Sequence, residues 1–239
     1  MPLKNGKSKY KLPNTNNKFK MAVSPESVKQ LLDSQDLGDR LRAMNQVREL
    51  EDKGVALELA LKAIDDPNAR VRYSAVSQLD TLGGQDLDTS LNVLRDRLLN
   101  DPEPDVQAAA ADCLGALKLT DAFADLAQVY HSTPEWLVRF SIIATLGELG
   151  DPRSFDLLKE ALESGSELDK TAAISSLGDL GNPQAIELLV PFATNPDWQI
   201  RYRVVQALAK LGGEQARTLI EQLAKDEVEA VSQEAKNSL

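Results

Sequence analysis

Three short stretches of the sequence place an arginine close to aromatic residues in one shared frame. They are PNARVRY at residues 67–73, PEWLVRF at 134–140 and PDWQIRY at 196–202. Aromatic faces stack on flat conjugated groups, and guanidinium groups form paired hydrogen bonds with carboxylates. Only 5% of the residues are aromatic, so their matched placement indicates a shared role. The candidate binding residues are Tyr73, Trp136, Phe140, Trp198 and Tyr202, together with Arg72, Arg139 and Arg201.

Residues that commonly carry catalysis are scarce in this chain. His131 is the only histidine, which excludes a multi-histidine metal centre. Because no orienting carboxylate is apparent near it, we expect a surface role for His131 in a turn between helices. Cys113 is the only cysteine, so an internal disulfide is excluded, and its position in the repeat predicts a small buried residue. No metal site or cofactor is expected, and the catalytic residues stay unidentified.

Charge is unevenly distributed along the chain. Residues 1–23 carry six lysines and no acid, which leaves 21 basic residues against 37 acidic ones, a net charge of −16, on residues 24–239. That excess disfavours nucleic acid as a partner and favours a basic one. No apolar stretch approaches the roughly 20 residues that cross a bilayer, so we expect a cytoplasmic protein without a transmembrane segment.

The first 23 residues form a separate segment by composition. They are rich in Lys and Asn and lack hydrophobic periodicity, which predicts disorder. One interpretation is a basic arm for an acidic partner. The other, which we favour, is an upstream extension without function, because Met21 begins MAVSPESVKQLL, which resembles a natural start.

The rest of the chain repeats with a period of about 31 residues. Anchor residues such as Val106 and Val138 are each followed by leucines eight and eleven positions later. The seven anchors are Asp39, Val71, Val106, Val138, Asp169, Ile200 and Val231, spaced by 32, 35, 32, 31, 31 and 31 residues. A helical hairpin buries its apolar stripe only against its neighbours. We therefore predict an all-α protein, a curved α-solenoid of seven hairpin repeats over residues 24–239.

Each repeat divides into a first and a second helix. A proline four residues before an anchor predicts the start of a second helix, and glycines such as Gly150 and Gly181 predict its end. Asp151 or Asn182 is then placed to cap the next first helix. Small residues four positions after the anchor, such as Ala110, are expected to let neighbouring second helices approach closely.

Helical geometry predicts where the candidate rings point. Each residue advances about 100° around a helix, so the positions 0, 4, 8 and 11 after an anchor share one face. The aromatics stand two positions before or after an anchor and therefore face away from the core. We expect them on the concave side, which the second helices of a solenoid line. Contact with a ligand or partner is one interpretation, and packing between repeats is the other.

The arginines one position after the anchors also have two interpretations. An Asp or Asn stands five positions before several anchors. Hydrogen bonds from the arginines to these side chains would connect successive repeats, and we call this series of contacts the ladder. Those acidic or amide members are Asp66, Asp101 and Asn195. The guanidinium groups also have the length to pair with a ligand carboxylate at the edge of the groove.

The repeat pattern resembles that of a known family. VRFSIIATLGELGDP at residues 138–152, echoed by IRYRVVQALAKLGG at 200–213, resembles the short HEAT-like repeat of phycobilin lyases. LGDRLRAMNQVREL together with NARVRYSAVSQL resembles the related phycobilisome degradation proteins of cyanobacteria. The resemblance spans residues 24–239. Deoxyhypusine hydroxylase shares the repeat but uses paired His-Glu motifs for di-iron, and because Ser132 follows His131 that enzyme is excluded.

This resemblance implies a cytoplasmic protein, associated with phycobilisomes, that acts on phycobiliprotein subunits alongside other antenna-degradation factors. Its ligand or substrate would be bilin, the open-chain tetrapyrrole of those subunits, and bilin would not be a cofactor. Three functions stay open: detachment of bilin from the antenna, attachment of bilin as a lyase subunit with a second chain, and a noncatalytic adaptor. The groove-side carboxylates that would transfer protons are Glu49, Asp112, Glu148 and Asp179.

Overall fold

The computed structural model describes residues 23–239, and all regular secondary structure within that range is helical. The segment predicted to be disordered, residues 1–23, lies outside the described residues except for Val23. From Pro25 onward the helices alternate between first and second members of seven hairpins.

The bounds of the helices follow the predicted repeat. The first helices are α1 (Pro25–Leu32), α3 (Lys53–Lys62), α6 (Leu87–Asn100), α8 (Phe123–Ser132), α10 (Ser154–Ser164), α12 (Ala185–Leu189, continued by a 3-10 turn at Val190–Thr194) and α14 (Gly213–Leu223). The second helices are α2 (Leu37–Val47), α4 (Ala69–Val76, followed by the short α5 at Leu79–Leu82), α7 (Pro104–Ala116), α9 (Trp136–Leu149), α11 (Glu167–Leu180), α13 (Trp198–Leu211) and α15 (Glu229–Asn237). Further 3-10 turns occur at Gly83–Gln85 and Thr120–Ala122.

The spacing of the second helices confirms the repeat. Their first residues are 32, 35, 32, 31, 31 and 31 positions apart, the same spacings as the anchors. The 35-residue step belongs to the second unit, where α4 ends early and α5 with a 3-10 turn takes up the additional residues. The predicted all-α solenoid of seven hairpins is therefore confirmed.

Residues that favour helix ends stand where they were predicted. Gly150 and Gly181 adopt φ of +71° and +72°, the left-handed conformation that ends α9 and α11. The side chains of Asp151 and Asn182 then accept hydrogen bonds from the backbone amide two residues on, at 2.9 and 3.0 Å. Glycine and an Asx turn together let the chain reverse direction and enter the next first helix at once.

The buried stripe of the second helices matches the helical angles at the fourth and eighth positions after the anchors. At the eleventh position the match is partial, since Leu117, Leu180 and Leu211 are only half-buried. All seven residues four positions after the anchors are fully buried: Ala43, Ala75, Ala110, Ile142, Ala173, Val204 and Ala235. The residues eight positions after the anchors are equally buried except for Leu239 in the last unit, which is 47% exposed. Each fully buried leucine in this row stabilises the fold by about 2 kcal/mol. The stripes join into one continuous apolar core.

Neighbouring second helices come into backbone contact at glycines nine positions after an anchor. A Cβ atom added to Gly147 would stand 2.7 Å from the Cα atom of Ser176, and one added to Gly178 would stand 2.7 Å from the Cα atom of Ala207. On Gly115 the same atom would lie 3.2 Å from a Cα atom of α9. The predicted close approach is confirmed, and it depends on glycines that the sequence reasoning did not single out.

The glycine contacts lie on the inner side of the curve. Second helices of successive units contact each other extensively, whereas successive first helices contact each other much less. Since elements on the more tightly spaced side of a stack lie on the inside of its bend, the second helices line the concave side, as expected.

Buried arginines tie several units together. Arg72 donates from Nε and Nη2 to the two carboxylate oxygens of Asp101 in the next unit, at 2.8 and 2.9 Å. Its Nη1 also donates to the backbone carbonyl of Asp66, at 3.0 Å. Arg201 makes the same paired contact with Asp226, at 2.6 and 2.8 Å. The predicted ladder is therefore present at these positions.

The ladder has a third complete member and is interrupted in the middle of the chain. Arg40 pairs with Asp66 at 2.7 and 3.3 Å, which ties the first unit to the second. Arg139 donates to a backbone carbonyl of its own unit, at 2.9 Å, and forms no paired contact, because the next unit has Ser164 and not an acid at the matching position. Its contact with the next unit is a longer one, 3.9 Å to the carboxylate of Asp169. Asn195, predicted as a ladder member, contributes only its backbone carbonyl, which accepts from Arg201 at 2.7 Å.

The paired contacts shift the ionisation of both partners. Burial is the largest influence on the Asp101 carboxyl and raises its pKa. The hydrogen bonds from Arg72 and from the backbone amide of Glu103, together with the positive charges of Arg72 and Arg97, outweigh burial and leave that pKa below its ordinary value. The hydrogen bonds with Asp101 raise the pKa of Arg72. In the last two units the hydrogen bonds from Arg201 lower the pKa of Asp226. These aspartates therefore stabilise the fold in their charged form.

Gly147→Ala is expected to lower the free energy of unfolding by about 2 kcal/mol, because the added methyl group would meet the backbone of Ser176 and push α9 away from α11. Thermal denaturation followed by circular dichroism measures the change. The matched control is Gly84→Ala, since a Cβ atom there has no atom within 4 Å. A loss of stability in the control as large as in Gly147→Ala would contradict the role assigned to the contact.

Arg72→Met is expected to lower the free energy of unfolding by about 3 kcal/mol at pH 7, because it leaves the buried Asp101 carboxylate without its partner. Urea denaturation measures the change. As a control, Arg217→Met breaks an exposed pair with Glu221 and should cost less than about 1 kcal/mol. Similar losses in the two variants would contradict the ladder.

The same variant has a predicted pH dependence. Because the folded-state pKa of Asp101 is lowered, its stabilising contribution is complete above the ordinary value of 3.8 and is lost as the pH falls through the folded-state pKa. The stability difference between the wild type and Arg72→Met should therefore shrink below about pH 3.8. Urea denaturation at pH 7 and pH 3 measures this, and an unchanged difference would contradict it.

Candidate functional site

The candidate rings differ in how far they reach into solvent. Trp136 is 62% exposed, Tyr73 is 47% exposed and Trp198 is 42% exposed. Phe140 and Tyr202 are half-buried and pack against the apolar core. The prediction that the rings face away from the core is confirmed for the first three and holds in part for the other two. Their role in binding stays a prediction.

A groove with a volume of 610 Å³ lies across the second helices of the fourth, fifth and sixth units. Phe140 of α9 contributes an aromatic wall to it. Short side chains line the groove between α9 and α11, among them Ala144, Thr171 and Ser175. Leu168, an exposed apolar side chain, also belongs to the lining. A groove of this size and composition accommodates a ligand of several rings.

Charges of both signs surround the groove. The Lys118 ammonium group donates to the backbone carbonyl of Glu148, at 2.8 Å, and forms an ion pair with no carboxylate in the described part of the chain. Arg203 of α13 is exposed, and it has no carboxylate partner among residues 23–239. Asp179 accepts a hydrogen bond from Lys210, at 2.5 Å. The groove thus offers two cations and a paired carboxylate to a ligand.

The charge of one predicted carboxylate, Glu148 on α9, acts on another, Asp112 on α7. Partial desolvation by the surrounding helices raises the pKa of Asp112, and the negative charge of Glu148 raises it further, while a hydrogen bond with Ser141 opposes the shift. The Glu148 carboxylate lies 3.4 Å from where a Cβ atom on Gly115 would stand, so this glycine leaves room for it. Asp112 consequently retains its proton to a higher pH than an ordinary aspartic acid.

The other two predicted carboxylates are placed differently. Asp179 lines the groove but is engaged by Lys210. Glu49 follows α2 in the first unit and takes no part in lining the groove. The structure therefore places two of the four predicted carboxylates, Glu148 and Asp179, in the groove lining. Asp112 lies beside Glu148 on α7 of the third unit without lining the groove, and Glu49 lies apart.

The candidate arginines do not all remain available to a ligand. Arg72 and Arg201 are buried in paired contacts with aspartates, so the expectation that their charges pair with a ligand carboxylate is corrected. Of the two interpretations, the ladder describes both residues. Arg139 keeps a partly exposed side chain, lies 6.0 Å from the centre of the Tyr130 ring and stands 3.9 Å from Asp169. Only Arg139 retains charge that a ligand can reach.

The candidate rings are distributed over separate clefts. Phe140 is the only one of the five that lines the 610 Å³ groove. Trp198 and Tyr202 share a cleft of 420 Å³ with Arg203. Tyr73 lies in a third cleft, of 270 Å³, toward the other end of the solenoid. The sequence thus located the correct face of the molecule but not one common site.

His131 and Cys113 are placed away from groove chemistry. His131 lies in the last turn of α8 and not in a turn between helices, which corrects the prediction. It also has a carboxylate partner, since its Nε2 atom is 3.2 Å from a carboxylate oxygen of Glu160 on another first helix. Cys113 is buried, as predicted, and burial raises the pKa of its thiol to about 12. That thiol is therefore unreactive as a nucleophile.

Neither a metal centre nor a membrane-spanning helix is found in the described part of the chain. Residues 23–239 contain no group of three side chains placed to bind a metal ion. Within the same range, every helix is too short or too polar to cross a membrane.

Several groove residues escaped the sequence reasoning. Lys118 and Arg203 carried no signal in the sequence, because neither occupies the position directly after an anchor. The short side chains of Ala144 and Ser175 also carried no signal by themselves. The tenth position after the anchors had predicted Glu148 and Asp179 on the groove side, and both line the groove. Ala144 and Ser175 occupy the sixth position, on the same concave face.

Solved structures with the same architecture include three that bear on the fold. The complex of CpcE and CpcF of phycocyanin lyase from Nostoc sp. PCC7120 matches with a TM-score of 0.60 and 20% identity, over 76% of this chain and 75% of that chain. The archaeal HEAT-like repeats protein from Thermococcus onnurineus NA1 matches with a TM-score of 0.55 and 19% identity, over 90% and 95%. Kap121p bound to Pho4p matches with a TM-score of 0.62 and 17% identity, over 83% and 24%. Similarity at these identities establishes the fold alone.

Sequence comparisons identify the family. No curated protein matches the chain. The family model described as HEAT repeats matches residues 91–177 and 160–239, which together make up more than half of the chain. These ranges include the second helices from α7 to α15 and the whole lining of the groove. The chain therefore belongs to the HEAT repeat family.

Proposed function

We propose that this HEAT-repeat protein binds phycobiliprotein subunits and receives their bilin in the groove across α9, α11 and α13. The groove is the observation that carries the proposal, because its 610 Å³ combine an aromatic wall, short lining side chains and charges of both signs. The similarity in fold to the CpcE and CpcF chains of phycocyanin lyase supports the choice of ligand.

The chemistry of a bilin matches that of the groove. A bilin has flat conjugated rings, pyrrole N–H groups and two propionate side chains. The ring of Phe140 stacks on a conjugated ring, and the short side chains of α11 leave room beside it. Lys118 and Arg203 supply positive charge for the propionates, and the Glu148 carboxylate accepts hydrogen bonds from pyrrole N–H groups.

Detachment of bilin breaks the thioether bond between the pigment and a cysteine of the antenna subunit. A carbon of the bilin loses a proton, its electron pair forms a double bond, and the sulfur leaves as a thiolate. Attachment is the reverse of this step. Both directions need a group that moves a proton at the pigment. Glu148 lines the groove and is the carboxylate that we assign to this step, while Asp112 stands beside it on α7 without lining the groove.

Detachment during disassembly of the phycobilisome is the direction that we propose, on the basis of the resemblance of LGDRLRAMNQVREL and NARVRYSAVSQL to the degradation proteins. A lyase subunit that attaches bilin together with a second chain would use the same groove. The similarity to the CpcE and CpcF complex favours this reading to the same degree. Coexpression with a candidate second chain separates the two, because a lyase subunit of this kind forms an obligate heterodimer.

A noncatalytic adaptor is the second candidate function. It is favoured by the exposure of Trp136 and Trp198, which lie outside the main groove and have large ring surfaces open to solvent. Rings of this kind commonly anchor a segment of a protein partner. In that case the concave side would hold a protein segment, and no pigment would be involved.

Ala144→Trp is expected to weaken binding of free phycocyanobilin by about ten-fold or more, because a large ring would occupy the space between α9 and α11. Titration of the protein into the pigment, followed by bilin absorbance, measures the affinity. The matched control is Ala209→Trp, an equally exposed helical alanine outside the groove. Failure of the wild type to change the absorbance of either free bilin or phycocyanin would refute the proposed function.

The double variant Trp136→Ala with Trp198→Ala separates the two candidate functions. If the protein is an adaptor, the variant should lose capture of antenna subunits from lysate, and neither protein should bind free bilin. If the groove binds bilin, the variant should keep that binding, because neither tryptophan lines the groove. A pull-down with absorbance spectra of the eluate provides both readings, and loss of bilin binding in the variant would contradict the assignment of the groove.

A further inference from the structure

Exposed rings and carboxylates alternate along one edge of the concave side, at the beginning of the second helices. Tyr73, Trp136 and Trp198 belong to the second, fourth and sixth units. The exposed carboxylates among and beside them are Glu103, Asp105, Glu135, Glu167, Asp197 and Glu229. We name these nine residues the acidic rim. The rim is separate from the 610 Å³ groove, whose lining includes none of them.

Most of the rim carboxylates form neither a helix-capping hydrogen bond nor an ion pair with the described residues. Glu103 and Glu135 occupy the cap positions of α7 and α9, yet neither side chain makes a capping hydrogen bond. The Asp197 side chain does cap α13, because it accepts a hydrogen bond from the backbone amide of Gln199. Within residues 23–239, Glu167 is the only one of the six in an ion pair, with Lys170. Negative charge at helix starts is favourable, but long side chains extended into solvent gain little from it.

One part of the rim already has the form of a binding cleft for a cation. The ring of Tyr73 and the carboxylates of Glu103 and Asp105 line the same cleft of 270 Å³. Arg70 lies there as well, so the cleft has a net charge of −1. An aromatic face beside two carboxylates suits a lysine or arginine, whose alkyl stem packs on the ring while its charged end reaches the acids.

We propose that the acidic rim binds an extended, lysine- and arginine-rich segment of a partner protein. Neighbouring helices lie about 8–10 Å apart, so rings on alternate units are about 20 Å apart. An extended chain covers that distance in about six residues. Such a segment places cations and their stems on each ring in turn and further cations at the carboxylates between the rings. Its charge complements the net −16 of residues 24–239.

The two tryptophans make the proposal directly measurable. They are the only tryptophans in the chain, and both belong to the rim. We expect the tryptophan emission of the full chain to change when a twelve-residue peptide of alternating Lys and Ser is added. The change should reach a plateau once the binding site is saturated. The matching peptide of alternating Glu and Ser should leave the emission unchanged. The affinity for the basic peptide should fall as sodium chloride is raised, because exposed charges are screened.

Charge variants distinguish peptide binding at the acidic rim from nonspecific attraction of a basic peptide to an acidic protein. The rim variant combines Glu103→Gln, Asp105→Asn and Glu135→Gln and is expected to weaken peptide binding by about ten-fold at low salt. The control makes the same exchanges on first helices: Glu58→Gln, Asp156→Asn and Glu187→Gln. The control should bind as the wild type does. Equal losses in the two variants would show unspecific attraction and overturn the proposal.

Other occupants of the rim give different results in the same experiment. The chain's own residues 1–22 carry six lysines, so they compete for the role of the basic segment. If their removal alone shifts the tryptophan emission and exposes an otherwise blocked peptide site, the occupant is this segment and the partner proposal is overturned. If the acidic peptide binds as tightly as the basic one, the peptide is held by apolar contact with the rings and not by charge. That result also overturns the partner proposal. Ala144→Trp in the groove should leave peptide binding unchanged, so this test and that of the proposed function fail separately.

Discussion

Backbone contact between neighbouring second helices is the constraint on which the concave side depends. Where α9 meets α11, the space beside Gly147 is taken by the backbone of Ser176, so any side chain at this position would separate the two units. Similar contacts at Gly115 and Gly178 draw the second helices of four consecutive units together, while the first helices remain further apart. The solenoid bends toward the more closely spaced side, and the groove forms on these same units.

Two different kinds of contact hold the units together, and they occupy different parts of the chain. Paired arginine contacts join the first three units through Arg40 and Arg72, and they join the last two through Arg201. Glycine contacts join the third unit to the sixth. The paired contacts need ionised aspartates, whereas the glycine contacts depend on shape alone. The groove therefore lies where glycine contacts, and not buried arginine–aspartate pairs, join the described units. The exposed pair of Lys210 with Asp179 adds a charged link between the fifth and sixth units.

The sequence predicted the repeat, the seven hairpins and the face on which the rings lie, because buried positions recur with a regular period and helical angles follow directly. It left the role of Arg72 open, since its aspartate partner stands 29 residues further on and either interpretation was compatible with the spacing. The half-burial of Tyr202 also depends on a neighbour, Glu234, whose carboxylate accepts from its hydroxyl at 3.1 Å. The sequence placed Glu148 and Asp179 on the groove side, where they lie. It did not find the short side chains of the lining, because they lie on adjacent units and no single position signals them.

The longer second unit shows where this architecture tolerates variation in length. Its additional residues lie in α5 and the following 3-10 turn, at the end of the hairpin remote from the contact of Arg72 with Asp101. The next unit resumes in phase, with Val106 fully buried. Insertions at that end of a hairpin change the structure only locally. Repeats can therefore differ in length there, while the spacing between units at the opposite edge stays the same. A chain built in this way can gain or lose whole hairpins during evolution without redesign of those that remain.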